Sequence, residues 1–579
     1  MDTQIMPHGG ELVDLLVGRD EAEILKTASQ GFLSLTLTRR QMCDLELLMN
    51  GAFSPLRGFM GRADYDSVVE SMHLADGSLW PVPIVLDVTS AFAGKLKPGQ
   101  KIALRDEEGF MPAVLTVEDI WQPNKAHEAE KVYNTTSTQH PGVRYLMEQV
   151  RETYISGRIE GIELPVHSEF ENYWDSPAEV RALFKKMGWR RVVAFQTSKP
   201  MHRLQRDIVL QAAKDIQGHI LLHPTVGVTK PGDLQYYARV HCYQAIRKHF
   251  PHNLAMLSLL PLAMRMAGPR EALWHAIVSQ NFGCSHMIIG PKHAYPPTTV
   301  NGDAQEHQFY PPYAAQDLIK QFRDKLQVQV IPIEAMEYVV AKDKFMPASK
   351  IKTAGLDSVE YTDAQLKKDL AMGEEIPEWF SFPDVVDSLR RAYPPRSKQG
   401  FTLFFTGLSG AGKSTIAKIV YAKLVESGDR PVTLLDGDVV RQHLSSELGF
   451  SKAHRNINVA RIGFVASEIT KNGGVAICAP IAPYAATRRV VRDMIEDHGA
   501  FIEIHVATPL ETCEARDRKG LYAKARKGEI PEFTGISDPY EAPEKPELRI
   551  DTSKLSKMEA VQEVFLYLLK EGFVGGGEE

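Results

Sequence analysis

The sequence predicts an α/β protein of several domains, ending in a parallel sheet with helices on both faces. Three observations predict it. The chain has 579 residues, too many for one hydrophobic core and enough for about three or four domains. Two long stretches alternate short apolar runs with segments of helical period, the pattern of parallel βα units. Between them, Tyr393-Pro-Pro-Arg-Ser-Lys-Gln399 stops a helical pattern and precedes the strand-like Phe401-Thr-Leu-Phe-Phe-Thr406. Two prolines cannot continue a helix, and the basic, polar remainder suits an exposed linker.

Taken in order, residues 1–165 are rich in short strands and turns and lack βα alternation, so a β-rich domain is expected. In 166–330 the alternation begins. Strands are expected at 191–197, 219–225, 286–290 and 328–333, which reads as a doubly wound, Rossmann-like domain. Residues 331–392 form a small connecting domain. The last domain, 400–575, has expected strands at 401–406, 432–435, 475–479 and 501–507. Its clearest helices are expected at 414–426 and 456–471.

Composition narrows the function classes. A net charge of -6 offers no bulk electrostatic reason to bind nucleic acid or an anionic membrane. The five cysteines are scattered with no CxxC pair, which argues against a disulfide framework or zinc knuckle and fits a reducing cytoplasm. The first residues show no basic region followed by an apolar run, so no signal peptide is expected. The longest apolar stretch, near Leu254 to Ala263, is too short to span a bilayer. No fixed-period repeat occurs, and the only low-complexity tract is the terminal GGGEE.

The strongest motif is Gly407, Leu408, Ser409, Gly410, Ala411, Gly412, Lys413, Ser414, Thr415. It matches GxxxxGK(S/T) in full, after an expected strand and at the start of an expected helix. Glycines let backbone N–H groups curl around phosphate oxygens, and the helix N-terminus adds favourable dipole charge. Lys413 is expected at the β/γ-phosphates, and Ser414 at a Mg²⁺ ion carried with ATP. Leu435-Asp-Gly-Asp438 follows the next strand. Of Asp436 and Asp438, one is expected to serve the metal through water and the other to take the acceptor's hydroxyl proton. Arg455, Asn458 and Arg461 recur every three residues, so they are expected on one helical stripe, opposite a buried face of Val459, Ile462, Ala466 and Ile469. Guanidinium forks beside a P-loop suit a second anion, and Phe450 is placed to stack on an adenine ring.

With these residues in hand, the run from Phe401 to about Phe573 resembles APS (adenylylsulfate) kinase throughout. The carrying segments are GLSGAGKST, LDGDVVR, the LGFS…R…N run, Ala479-Pro-Ile-Ala-Pro-Tyr484, Cys513-Glu-Ala-Arg-Asp-Arg-Lys519-Gly-Leu-Tyr522 and Glu532-Phe-Thr-Gly-Ile-Ser-Asp-Pro-Tyr540. The resemblance implies that Arg441, Phe450, Arg455, Asn458, Arg461, Lys519 and Phe533 contact APS. It also implies that about 516–534 is a lid over both nucleotides. Two positions depart from the family. Ala482 stands where many members carry a serine, which excludes a phosphoserine there and implies direct in-line transfer. Val459 and Ala460 stand where a second arginine is common.

Residues 1–392 resemble ATP sulfurylase through Leu48-Met-Asn-Gly-Ala-Phe-Ser-Pro-Leu56, His223-Pro-Thr-Val-Gly-Val-Thr-Lys-Pro-Gly-Asp233 and Gly268-Pro-Arg-Glu-Ala-Leu-Trp-His-Ala276. The resemblance implies a PUA-like N-terminal domain and a nucleotidyltransferase domain. The family's QTRNPxHxxH motif reads Gln196-Thr-Ser-Lys-Pro-Met-His202-Arg-Leu-Gln205 here, with Ser198 for the sulfate-binding arginine, Lys199 for asparagine and Gln205 for the second histidine. Its GRDHAGP motif reads Gly290-Pro-Lys-His-Ala-Tyr295, with Pro291 and Lys292 for arginine and aspartate. A neutral amide cannot become cationic as charge builds on pyrophosphate, so the expected sulfurylase site is impaired.

Three readings follow. One is a kinase making PAPS (phosphoadenylylsulfate) from ATP and APS on a degenerate sulfurylase scaffold. Another is a bifunctional enzyme converting sulfate to PAPS. The last is a C-terminal domain that binds PAPS only as an allosteric sensor, which a complete GAGKST disfavours. The resemblance further implies a homo-oligomer, with a hexamer built through the N-terminal part as one such assembly, and the cysteine pattern leads to the expectation of a cytoplasmic protein.

Overall fold

The computed structural model describes residues 4–229, 233–297, 308–496, 498–517 and 519–575. Lys230, Pro231 and Gly232 of the His223–Asp233 segment, Arg518 of the expected lid, the end of the GGGEE tract and the side chain of Asp438 lie outside the described residues. The chain divides into two compact units, Met1–Tyr361 with Pro377–Ser388, and Thr362–Ile376 with Leu389–Glu579.

The first unit opens with a six-stranded sheet: β1 (Leu33–Thr36), β2 (Gly58–Phe59), β3 (Leu86–Val88), β4 (Lys101–Arg105), β5 (Ala113–Trp121) and β6 (Thr153–Gly161). The order is β1-β4-β5-β6-β2, with β3 also on β6. Only β1–β4 is parallel; the other pairs are antiparallel. This region also holds helices that its sequence pattern does not announce. Arg39–Met49 buries Gln41, Asp44 and Glu46 together with its leucines, so its apolar period is interrupted by polar residues that have partners inside. Asp44 meets Arg265 at 2.6 Å, each side chain 3% exposed. A lone buried charge would be costly, but a hydrogen-bonded pair is tolerated.

A parallel sheet follows, with β7 (Val192–Phe195), β8 (His219–Leu222), β9 (Ala255–Leu257), β10 (His286–Ile289) and β11 (Gln329–Pro332) in the order β11-β10-β7-β8-β9. Four strands match the expected ones with shorter ends. The fifth, β9, lies in the apolar stretch that sequence reasoning had judged only by its length. One contiguous hydrophobic core runs through both sheets of this unit, with the Phe53 and Trp274 rings 5.1 Å apart. The change of architecture near residue 165 is therefore not a boundary between separate cores. The expected connecting domain, 331–392, is divided instead. The hairpin β12 (Met336–Val339) and β13 (Lys344–Pro347) stays with the first unit, whereas helix Asp363–Met372 belongs to the second.

The second unit holds β14 (Phe401–Thr406), β15 (Val432–Leu435), β16 (Val475–Cys478), β17 (Ala500–Val506) and β18 (Leu548–Ile550), all parallel, in the order β15-β16-β14-β17-β18. The central strand explains the continuous apolar run FTLFFT. Phe401, Leu403 and Phe405 pack on Ile416, Val420, Val561 and Val564, while Phe404 packs on Val459, Ile462 and Val491 on the other face. Sequence reasoning missed β18, whose three residues are too few to show a period. The long helix begins at Lys452 rather than Asn456, because Ser451 caps it by accepting the His454 N–H. Among the described residues no helix is long and apolar enough to cross a membrane, and all five cysteines are free.

Candidate active sites

The P-loop lies between β14 and helix Lys413–Ser427. Its glycines have conformations that a side chain would oppose. Gly407 has φ +147, and a Cβ there would come 2.6 Å from the Val506 carbonyl oxygen; Gly412 has φ +110 against Thr552. Each carbonyl from Gly407 to Ala411 accepts a side-chain donor. Lys413 Nζ donates to the Gly407 and Leu408 oxygens, both at 2.8 Å. Tyr522 donates to Ser409 at 2.9 Å, and Arg516 reaches Gly410 at 3.4 Å. Thr508 and Thr552 donate to Ala411 at 3.1 and 2.8 Å. The Gly407 and Ala411 N–H groups are bonded to the Ile481 and Leu408 oxygens, and a loop of this shape at a helix N-terminus suits an anion. Thr415 closes the first turn on the Gly412 oxygen at 3.1 Å.

Asp436, half-buried, immediately follows β15; Asp438 lies in the helix Gly437–His443. Among the described residues no group of three or more His, Cys, Asp or Glu side chains gathers to hold a metal. The donors at hand are the Ser414 hydroxyl and the Asp436 carboxylate. That set suits magnesium arriving with a nucleotide and held mainly by phosphate oxygens and water.

On the expected acceptor side, Arg441 donates to the Gly449 oxygen at 3.1 Å and lies 4.5 Å from the Phe450 ring centroid. Phe450 is 69% exposed, a ring face open to a planar partner. Arg455 is drawn inward, to Thr534, Tyr484 and Asp538. Asn458 is buried with its Oδ1 unpartnered. Arg461 is not brought together with Arg455. It pairs with Glu447 at 2.6 Å and donates to the Leu444 oxygen. The expected stripe fails because a three-residue step falls about 60° short of a full turn, so two steps separate the arginines by about 120°. Lys519 sits exposed in the turn after helix Leu510–Arg516. Phe533 packs edge-on against Tyr522 with centroids 5.1 Å apart. Ala482 is buried with φ +45, and its carbonyl accepts from Arg488 at 2.8 Å.

In the first unit, the two altered motifs follow adjacent strands, β7 and β10. The Gln205 amide oxygen accepts the His202 N–H at 2.9 Å, so this side chain caps its own helix. His202 is buried with Nδ1 2.9 Å from Ser381 Oγ and its ring 4.3 Å from that of Phe380. The Ser198 carbonyl accepts from the buried Arg239. Lys199 and Lys292 are exposed and Pro291 half-buried. Gln196 is buried with both amide atoms unpartnered. His223, unpartnered and fully enclosed, is pushed down to about 3 by burial.

Sequence reasoning placed Arg516 and Tyr522 only within the expected lid and assigned no role to Tyr484 or Asp538. Tyr484 and Asp538 stood in quoted segments, but they are 54 residues apart, and nothing in either segment announces the other.

Fold and site together define a multidomain α/β protein with two parallel sheets, one of which carries a P-loop. Comparison with known proteins makes the family specific. The PUA-like domain family matches residues 5–164, ATP-sulfurylase 171–392, and adenylylsulphate kinase 399–551. Relatives include sulfate adenylyltransferases of Phaeosphaeria nodorum, 45% identical, and Neosartorya fischeri, 46% identical, each over 98% of this chain and 99% of the relative. A solved structure described as a hexameric APS kinase from Thiobacillus denitrificans is 41% identical, with a TM-score of 0.77, over 99% of this chain and 100% of that one. The chain belongs to the family of ATP sulfurylases fused to adenylylsulfate kinase. The fungal relatives' name gives no support to the expected impairment of the first site.

Proposed function

We propose that the chain is an adenylylsulfate kinase that transfers the γ-phosphoryl group of Mg-ATP directly to the 3′-hydroxyl of APS. The observation that carries this reading is the P-loop in which every carbonyl from Gly407 to Ala411 is held by a side-chain donor. Such a loop holds phosphates, and Lys413 stands at its centre. Magnesium, when bound, neutralises charge on the β- and γ-phosphates. Lys413 adds a second positive charge, Ser414 offers a hydroxyl to the ion, and one of Asp436 and Asp438 takes the acceptor proton. Arg441, Phe450, Arg455 and Asn458 hold APS; Lys519 and Phe533 close over it from the segment after helix Leu510–Arg516. Ala482 has no hydroxyl to carry a phosphoryl group, so the transfer is direct.

In the same reading the first site forms APS poorly. Gln205 gives its amide oxygen to a backbone N–H, and Ser198, Pro291 and Lys292 supply neither an arginine fork nor a carboxylate. Each lost contact of this kind costs about 10²–10³ in rate. The Thiobacillus denitrificans relative spans the same length and is described as an APS kinase, which supports this reading. That relative is also described as hexameric, and a hexamer is proposed for this chain by analogy.

A second reading has a specific observation in its favour: relatives 45–46% identical across 98% of the chain are called sulfate adenylyltransferases. In that reading the enzyme is bifunctional and makes PAPS from sulfate. Purified protein given Mg-ATP, labelled sulfate and pyrophosphatase, beside a control given APS, separates the two. PAPS only in the APS-fed control upholds the kinase reading, PAPS from both supports the bifunctional one, and PAPS from neither removes the kinase assignment.

A further inference from the structure

We infer that Asp538 and Tyr484 are positioning residues for Arg455, fixing its guanidinium for the anionic end of the acceptor nucleotide. The inference rests on the kinase reading above and deepens it.

Three segments distant in sequence converge on one guanidinium. Arg455 comes from the first turns of the long helix, Tyr484 from the segment after β16, and Asp538 from the 532–540 segment. Arg455 Nη2 lies 3.0 Å from Asp538 Oδ2 and 2.8 Å from the Tyr484 hydroxyl. That hydroxyl in turn donates to the same Asp538 oxygen at 2.7 Å. Arg455 Nη1 donates to Thr534 Oγ1 at 2.7 Å. The ion pair is screened from water, with side chains 11% and 13% exposed, so each contact is worth more than at an open surface.

Counting donors shows what this ring leaves over. A guanidinium has five N–H groups. Nη2 serves Tyr484 and Asp538, and one hydrogen of Nη1 serves Thr534. The remaining Nη1 hydrogen and the Nε–H are left, and Nε is buried without a partner. These two hydrogens do not share an edge, but with Nη1 and Nη2 both pinned the guanidinium plane is fixed, and with it the direction in which each can meet an oxyanion. The Asn458 Oδ1, about one turn further along the same helix, is also buried and unpartnered. Burial, and then the bond to Asp538, push the Tyr484 phenol up to about 12, so it remains the donor in this ring at neutral pH.

The same turn reaches the P-loop. The Asp538, Ser537 and Ile536 N–H groups all donate to the Phe533 carbonyl. Phe533 packs on Tyr522, and Tyr522 donates to the Ser409 carbonyl. Asp538 therefore holds Arg455 from a turn that also rests on the nucleotide loop.

The test is steady-state kinetics on full-length Asp538→Asn, Tyr484→Phe, Arg455→Ala and the Arg455→Ala/Asp538→Asn double variant, varying APS and ATP separately. Asp538→Asn is expected to raise the KM for APS about tenfold or more, the scale of one charge-assisted contact. The KM for ATP stays near wild type, while the melting temperature falls somewhat because the Arg455 charge loses its largely buried partner. Tyr484→Phe gives a smaller rise in the same constant. The double variant is no worse for APS than Arg455→Ala alone, since Asp538 acts through Arg455. Asp538→Asn with an unchanged or lower KM for APS, parallel rises for both substrates, or additive losses in the double variant would each overturn the assignment. If wild-type protein makes no PAPS from APS, it is the kinase reading that fails.

Discussion

The two parallel sheets of this protein offer the same scaffold and use it differently. In each, a central strand ends in a turn that feeds a helix N-terminus, the place where open α/β sheets bind ligands. After β14 that turn carries Lys413 with its ammonium on the loop carbonyls. After β7 the corresponding helix start carries Gln205, whose amide oxygen accepts a backbone N–H. In the proposed function one side chain brings positive charge toward an incoming phosphate, whereas the other completes a hydrogen bond of the fold. Architecture alone therefore does not carry the chemistry. The difference lies in which side chains remain to meet charge as it develops.

The largest effect expected from that difference is at Lys413. Lys413→Ala should lower PAPS formation from APS by about 10²–10³ or more, with unchanged thermal unfolding of the first unit. Turnover near wild type would break the comparison on the kinase side. Next comes Gly407→Ala. With φ +147 and the Val506 oxygen 2.6 Å from the added carbon, the loop must shift, and strain of about 1–3 kcal/mol is expected. ATP-dependent kinetics should worsen by about tenfold, read as kcat/KM for ATP.

A smaller effect concerns acid. His505 in β17 is buried, and burial, with Arg549 and Arg488 nearby, pushes its imidazole down to about 4. The folded state holds this ring neutral, whereas the unfolded chain protonates it near 6.5. Its contribution to stability is thus fully present above pH 6.5 and is lost as pH falls toward 4. About 1–3 kcal/mol is expected over that window. His505→Gln should flatten the pH dependence of the melting transition of the second unit; an unaltered slope between pH 7 and 5 would refute it. His223, pushed lower still by burial, should give the first unit a window extending further into acid.

Much of this was legible in the chain. The P-loop was readable because its function demands contiguous residues, and β14 because a strand covered on both faces is apolar throughout. Strands β16 and β17, buried along nearly their whole length, followed for the same reason. What could not be read depended on partners far away in sequence. Helix Arg39–Met49 hides its period because Asp44 finds Arg265. The Arg455 ring is assembled from three segments, one of them 79 residues from the arginine. Arg461 was misjudged because a three-residue spacing suggests a shared face, whereas six residues carry it a third of a turn away, to Glu447.

The smallest expected effect is also the most informative about the sulfurylase-like site. Gln205→His alone should change sulfate-dependent PAPS formation less than about twofold. It restores an imidazole, yet in the kinase reading the site's losses act as a unit, and repairing one member of a unit recovers little. Ser198 still lacks a guanidinium, and Pro291 and Lys292 still stand where an arginine and a carboxylate are expected. The change also removes the amide oxygen that accepts the His202 N–H, so the helix start loses a cap worth about 1 kcal/mol. The measurement is labelled sulfate carried to PAPS by wild type and variant under identical Mg-ATP and pyrophosphatase. A large gain would mean that one side chain separates the two sheets, and that the first retains the rest of its anion site in working order.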